Sequence, residues 1–417
     1  MLARHVSPLL VRALADSPVV FIQGARQVGK STLAQWVAQR SHPARYLTLD
    51  DAVVLSAARS DPVGFLGGLE GPVVLDEIQR APELFLPLKA EVDRSRRPGR
   101  FLLTGSANAL VLPRLAEYLV GRMEIMTLWP FSQGELEGVR EGFIDAVFSA
   151  RLTLPPPSTM TRAALAERIV RGGYPEAVRR KTGARRSSWF ASYLGTLLQR
   201  DVRELANIEG LAHLPRLLSL LAARTAGLLN VAELSRTAGL PHSTVTRYLA
   251  LLESTFVVQL VPAWSANLGM RLVRAPKVFL ADSGLTAHLT GYGARRLAED
   301  GLALGPALEG FAVMELRKQS GWGRRPVKLL HFRSQAGQEV DVVLEDGSGQ
   351  LVGIEVKSTA TPSAGDFRGL RALAEVAGKR FLRGILLHTG REAVPFGRNL
   401  HALPVDALWR LGATRVR

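Results

Sequence analysis

Eight residues, Gly24-Ala25-Arg26-Gln27-Val28-Gly29-Lys30-Ser31, constrain this 417-residue chain more than any other stretch. They match G-x-x-x-x-G-K-[ST] in full and stand in the setting that motif requires. Val19-Val20-Phe21-Ile22-Gln23 before them reads as an apolar strand, and Lys30 to Arg40 after them reads as a helix. Glycines let backbone N–H groups turn inward around phosphate oxygens, and the helix N-terminus adds a favourable dipole. Lys30 would neutralise the β/γ charge of a bound ATP, and Ser31 would place a hydroxyl on Mg²⁺. Gly24, Ala25, Arg26, Gln27, Val28, Gly29, Lys30, Ser31 and Thr32 are therefore the candidate nucleotide-binding residues.

Around this loop, short apolar runs alternate with helical patterns. Arg45 to Asp50, Pro72 to Asp76, Arg100 to Thr104 and Met123 to Leu128 read as further strands. Such alternation predicts a parallel sheet covered on both faces. Asp76 and Glu77 end the apolar strand Val73-Val74-Leu75. This is the Walker B arrangement, in which Asp76 would hold Mg²⁺ and Glu77 would orient and polarise the attacking water. Thr104 ends the next strand, with Ser106 and Asn108 just beyond, where a polar side chain can reach a γ-phosphate. Arg122 ends the following helix and would there also satisfy a helix C-terminus.

Residues 1 to about 200 resemble the bacterial and archaeal AAA-type ATPase family. The likeness rests on the phosphate loop and on Leu103-Thr104-Gly105-Ser106, Gly121-Arg122, Trp129-Pro130-Phe131-Ser132 and Gly172-Gly173-Tyr174-Pro175. The remainder resembles the DUF4143 domain that commonly follows it, through Ala281-Asp282-Ser283-Gly284-Leu285 and Ile354-Glu355-Val356-Lys357-Ser358. The resemblance implies a sensor-1 residue among Thr104, Ser106 and Asn108. It also implies an arginine finger, Arg122, offered to a neighbouring subunit in a homo-oligomer, with a hexamer as one form.

The expected fold class is α/β. A P-loop AAA+ core spans 1–150, a helical lid 160–208, a winged-helix-like domain 209–299, and a restriction-endonuclease-like α/β domain 300–417. Leu154-Pro155-Pro156-Pro157-Ser158 marks the first break. A helical pattern from Arg162 to about Ile208, interrupted at Gly172 to Pro175, suits the lid. Leu211 to Arg224, Val231 to Thr237 and Ser243 to Glu253 read as helices, and Phe256 to Val261 as a strand, which is the winged-helix order. On the last helix Val245, Leu249 and Leu252 form a buried stripe, leaving Thr244, Arg247 and Tyr248 nearer the exposed side. Thr244 and Arg247 are candidates for DNA contact. Arg271, Arg274 and Lys277 could add backbone contacts from a wing. Equally, such modules serve as protein-interaction surfaces or spacers.

A net charge of +16 favours a polyanionic partner, with DNA first. The absence of cysteine excludes disulfides, thiolate catalysis and Cys-type zinc sites. No apolar run reaches the roughly 18 residues of a membrane helix, and Met1 to Leu14 is too short and broken for a secretory signal. A cytoplasmic protein with no membrane partner is expected.

In the last domain Asp341 lies in the strand Glu339 to Val343, and Glu355 and Lys357 lie in the next, after thirteen intervening residues. Glu309 or Glu315 sits on the preceding helix. This resembles the PD-(D/E)xK nuclease pattern. Period two puts Glu355 and Lys357 on one face. Asp341 and Glu355 are then candidate metal ligands and Lys357 a candidate to activate water, with Glu309 completing the site. A valine replaces the usual proline before Asp341. The expected function is ATP binding and Mg²⁺-dependent hydrolysis coupled to DNA binding or remodelling. The alternatives are a nucleotide-dependent protein-interaction switch and a metal-dependent nuclease regulated by the ATPase.

Overall fold

Three strands apolar on both faces form the centre of the first sheet, with two more polar strands at its edges. β1 (Val19–Gln23), β2 (Arg45–Thr48), β3 (Val73–Asp76), β4 (Phe101–Gly105) and β5 (Met123–Thr127) follow one another with helices between. Every residue of β1, β3 and β4 is buried, as a parallel sheet covered on both faces demands. The strands pair in the order β2-β3-β4-β1-β5, all parallel. This computed structural model describes residues 2–106, 118–119, 121–198 and 213–415. Asn108, the start of the helix expected from Leu211, and the helical pattern beyond residue 198 lie outside the described residues.

The chain divides into two compact units, Met1–Pro130 with Ser254–Val257, and Phe131–Glu253 with Val258–Arg417. In the first unit one face of the sheet packs Val19, Phe21, Val73, Leu75, Phe101 and Leu103 against Leu84, Phe85, Leu88 and Val92. The register sets the carboxyl ends of β1, β3 and β4 side by side, so the residues that follow these strands cluster at one edge. That edge carries the loop after Gln23, the acids after Leu75 and the polar residues after Leu103.

The second unit begins earlier than the sequence pattern suggests, so residues 131–150 cluster with it. Its strands are β6 (Val139–Arg140), β7 (Val258–Val261), β8 (Lys277–Leu280), β9 (Val327–Arg333), β10 (Glu339–Asp346), β11 (Leu351–Lys357), β12 (Phe381–His388), β13 (Val394–Pro395), β14 (Leu400–Pro404) and β15 (Thr414–Arg415). Six of them form a mixed sheet in the order β13-β14-β12-β11-β10-β9. β9, β10 and β11 are antiparallel neighbours, whereas β12 runs parallel to both β11 and β14. One face packs on helices Arg162–Arg171 and Gly301–Gln319 through Leu165, Ile169, Leu308 and Phe311. The other packs on helix Arg368–Ala377 through Leu370 and Leu373. The 160–208, 209–299 and 300–417 segments thus contribute to shared cores inside one unit.

Helices Leu214–Ala223, Val231–Ala238 and His242–Ser254 precede the antiparallel pair β7–β8. Helix Gly301–Gln319 holds both Glu309 and Glu315 and carries Pro306 inside it. Asp300 caps it by accepting from the N–H groups of Leu302 and Ala303. Among the described residues no helix is long and apolar enough to cross a membrane.

Candidate active site

The loop after β1 owes its shape to positive backbone angles. Gly24 has φ +148°, Gln27 +61° and Gly29 +97°. Gly24 also needs its missing side chain for space, since a Cβ there would stand 2.2 Å from the carbonyl oxygen of Leu128. Gly29 opens helix Lys30–Arg40 without any side-chain cap. Lys30 is almost fully buried, and its ammonium donates to the carbonyl oxygens of Gly24 and Ala25 at 2.9 and 3.0 Å. The lysine therefore lies back across the loop it belongs to.

Asp76, at the end of β3, is the hub beside that loop. Thr104 Oγ1 donates to its Oδ1. The Tyr46 hydroxyl donates to Oδ2 at 2.7 Å, and Thr48 Oγ1 approaches Oδ2 at 3.4 Å. Burial, then the Asp76 carboxylate, push the Tyr46 hydroxyl well above its ordinary range, so it remains a donor. The Ser31 and Gln35 side chains pull the other way, lowering it. Tyr46 thus stands between Ser31 and Asp76. Glu77 follows in a left-handed conformation, φ +59°, a state a non-glycine residue holds only where its surroundings fix it. Its N–H donates to Thr104 Oγ1 at 3.1 Å, and its carboxylate accepts from the Gln79 amide. Gln79 also donates to Ser106 Oγ at 3.1 Å. Of the candidates after β4, Thr104 touches the acids directly and Ser106 acts through Gln79. Arg122 forms a two-pronged pair with Asp93, at 2.6 and 3.0 Å.

Tyr46, Thr48 and Gln79 were absent from the sequence reading. Tyr46 and Thr48 register against Val74 and Asp76, so the alternation of β2 would have found them once β2 was known to border β3. The oxygen-only donor set of Ser31 and Asp76 is of the kind a hard cation such as Mg²⁺ prefers.

A second cluster lies on the mixed sheet. Glu309, Asp341, Glu355 and Lys357 line one cavity of about 770 Å³. Asp341 falls inside a register shift between Val340 and Val343, a bulge that re-aims side chains out of strict alternation. Its Oδ2 accepts from the Val356 N–H at 2.9 Å. Lys357 donates to Glu355 Oε1 at 2.6 Å, while Glu355 Oε2 is buried with no hydrogen-bond partner. The other helix acid, Glu315, is used elsewhere, accepting from the Gln133 N–H and Lys318. One residue enters the cluster unannounced: Lys277, from β8, donates to Glu309 Oε1 at 2.7 Å and Asp341 Oδ1 at 2.9 Å. Among the described residues no group of three or more His, Asp or Glu side chains is arranged to hold a metal ion. The Lys277 ammonium donates to one of the Asp341 oxygens that the expected pairing with Glu355 would offer a metal.

Burial, then the neighbouring Asp341 carboxylate, push Glu355 up to about 8, against the pull of Lys357. A folded-state value above the ordinary 4.5 means the folded chain holds a proton that the unfolded chain has lost. That contribution to stability is complete below about pH 4.5 and is lost as pH rises through about 8. Glu355→Gln should flatten this fall. Its unfolding temperature is expected to change less than that of the wild type between pH 5 and pH 8.5, as thermal unfolding followed by circular dichroism would register.

The chain aligns with an uncharacterized protein of Mycobacterium tuberculosis at 32% identity over 412 residues, covering 98% of this chain and 85% of that protein. An uncharacterized protein of Mycobacterium bovis matches with the same identity and coverage. The AAA domain model matches residues 16–137, a domain of unknown function (DUF8612) matches 162–296, and another (DUF4143) matches 304–408. This chain belongs to the family of AAA-domain proteins with a C-terminal DUF4143 region. Its AAA domain is a nucleotide-binding ATPase domain of the P-loop type. Among solved structures, the Thermotoga maritima RuvB Holliday junction branch migration motor overlaps 63% of this chain and 90% of its own, at 16% identity and a TM-score of 0.29. A Signal Transduction ATPase with Numerous Domains from Pyrococcus horikoshii overlaps 76% of this chain and 45% of its own, at 12% identity and a TM-score of 0.22. Overlaps at these scores carry no argument about activity.

In the DUF8612 region Arg247 is exposed and Thr244 half-buried on helix His242–Ser254. Tyr248, expected near the surface, is 1% exposed. It lies three residues after Val245 and four before Leu252, so it shares their stripe. Two of the three cations expected to reach a nucleic-acid backbone are tied up internally. Arg271 pairs with Glu345 at 2.6 and 3.0 Å, and Lys277 is buried among the DUF4143 acids. Arg274 donates to the carbonyl oxygen of Arg333.

Proposed function

We propose that this AAA-domain protein hydrolyses ATP with Mg²⁺ and couples the reaction to DNA binding or remodelling, working as a homo-oligomer. The observation that carries the reading is the convergence of Tyr46, Thr48 and Thr104 on Asp76, beside a glycine loop whose lysine faces its own carbonyls. The N–H groups from Gly24 to Thr32 would cradle the phosphates. Lys30 would exchange the Gly24 and Ala25 carbonyls for β- and γ-phosphate oxygens, a stronger, charged partner. Ser31 and Asp76 would hold Mg²⁺, which supplies neutralisation of the phosphate charge. Tyr46 and Thr104 keep the Asp76 carboxylate oriented. Glu77, fixed through Thr104 and Gln79, orients the water that attacks the γ-phosphorus as the bond to the β-phosphate oxygen breaks. Thr104 fits the sensor role best, because it bridges Asp76 and the Glu77 backbone. Arg122 would serve a neighbouring subunit only after releasing Asp93.

DNA is favoured as the coupled partner by the charge of +16 and by Arg247, exposed on a helix that precedes a two-stranded β pair in the winged-helix order. The test is steady-state ATP hydrolysis with Mg²⁺, with and without single-stranded, duplex and branched DNA. Stimulation by one DNA form is expected, with all turnover lost in Lys30→Ala and the stimulation weakened in Arg247→Ala. Hydrolysis indifferent to every DNA would remove the coupling and leave a nucleotide-dependent protein switch. Absence of hydrolysis would remove the enzyme reading.

A further inference from the structure

The nuclease-like pocket carries acids at the positions a divalent ion would bridge, yet a cation of the chain itself is already among them. Lys277 is 3% exposed, and its ammonium stands 2.7 Å from Glu309 Oε1 and 2.9 Å from Asp341 Oδ1. These acids come from helix Gly301–Gln319 and from β10, both in the DUF4143 region, whereas Lys277 opens β8 in the DUF8612 region. Both oxygens of Asp341 are already hydrogen-bonded, Oδ1 by Lys277 and Oδ2 by the Val356 N–H. Lys357 covers one oxygen of Glu355.

We propose that Lys277 is the resident cation of this pocket, holding Glu309 and Asp341 in place of a divalent metal and closing the site to metal-dependent cleavage. The argument is one of exclusion. A divalent ion binds carboxylate oxygens at about 2.0–2.6 Å, which would set it against an ammonium already in hydrogen-bond contact with the same oxygens. Two like charges at that distance repel strongly in a buried setting, so one must leave. A buried lysine leaves only if its acids find another cation and its own ammonium finds water. The backbone of Lys277 is held opposite Val261 in the β7–β8 pair, and its side chain is buried. The cavity remains open beyond the acids, with Lys357, Ser358 and Arg368 on its wall, so it can bind without cutting.

The test counts bound Mn²⁺ by electron paramagnetic resonance on the full chain without nucleotide. Wild type is expected to hold no Mn²⁺ that Asp341→Asn removes. Lys277→Met is expected to gain about one ion per chain, and the double variant Lys277→Met with Asp341→Asn to lose it again. Wild-type binding that disappears in Asp341→Asn would overturn the proposal, as would a folded Lys277→Met that gains no ion. Should Lys277→Met not fold, Lys277→Gln replaces it, and the wild-type comparison with Asp341→Asn and Glu355→Gln still decides whether the acids hold metal. ATP turnover is not the readout, so failure of the ATPase reading would leave this result interpretable.

Discussion

Glu77→Gln is expected to lower ATP turnover by roughly a hundred- to a thousandfold while leaving nucleotide binding near the wild-type level. The substitution keeps the shape of the side chain and removes its charge. The backbone arrangement that places it, φ +59° with the N–H on Thr104 Oγ1, involves no side-chain atom of Glu77 and should persist. What disappears is the carboxylate that would take hold of a water hydrogen. Lys30→Ala should behave differently, because it strips charge from the phosphate site and so weakens binding as well as turnover. Single-turnover hydrolysis together with titration of a fluorescent ATP analogue separates the two. Equal loss of binding and turnover in Glu77→Gln would mean that Glu77 helps hold nucleotide and does not position water.

The second large effect is on stability. Asp282→Ala should cost roughly 3 kcal/mol in the second unit. Asp282 is 1% exposed, and it accepts from the Gly173 N–H at 2.7 Å and from the Leu285 N–H at 3.0 Å. One oxygen caps helix Ser283–Thr290, and the other ties that helix to the turn after Arg171. Removing both leaves two buried donors without a partner, the costly half of a hydrogen bond. Gly172 shows the same tightness from the other side. Its φ is +65°, and a Cβ would lie 2.2 Å from Asp282 Oδ1, so Gly172→Ala should destabilise comparably. Urea denaturation followed by tryptophan fluorescence measures both. A loss below about 1 kcal/mol in Asp282→Ala would mean that water replaces the carboxylate there. The two motifs Gly172-Gly173-Tyr174-Pro175 and Ala281-Asp282-Ser283-Gly284-Leu285, which stand far apart in the chain, are thus halves of one joint.

The central strands β1, β3 and β4 were legible because each is buried on both faces and so is largely apolar, whereas β2 and β5 at the edges are partly exposed and mixed in character. The loop and acids were legible because phosphate chemistry permits so few residues at those places. Strand order was not, and with it went Tyr46, whose role exists only because β2 lies beside β3. The start of helix Gly301–Gln319 was hidden because Gly305-Pro306 reads as a break, yet Pro306 stands inside the helix, where it gives up one backbone hydrogen bond. Lys277 was read as a surface cation because a lysine at a strand edge usually is one. Only the position of Glu309 and Asp341 in space reveals it as buried. Residues that act through local chemistry announce themselves in sequence, and those that act through a distant partner do not.

The pairing of β15 with β6 joins Arg415 to Val139 and Thr414 to Arg140. A chain made from its N-terminus reaches β5 early, so the first sheet has all its strands while the rest is still being made. The second unit has no such liberty. Its β6–β15 pair waits for Thr414 and Arg415, and Leu408 and Trp409 complete the core that Phe143 and Ile144 begin. Closure across so long a stretch is slow, because loop entropy is lost before the contacts that reward it form. Until then Phe143, Ile144 and Phe311 lack the Leu408 and Trp409 side chains of their core, so the second unit is expected to close after the first sheet.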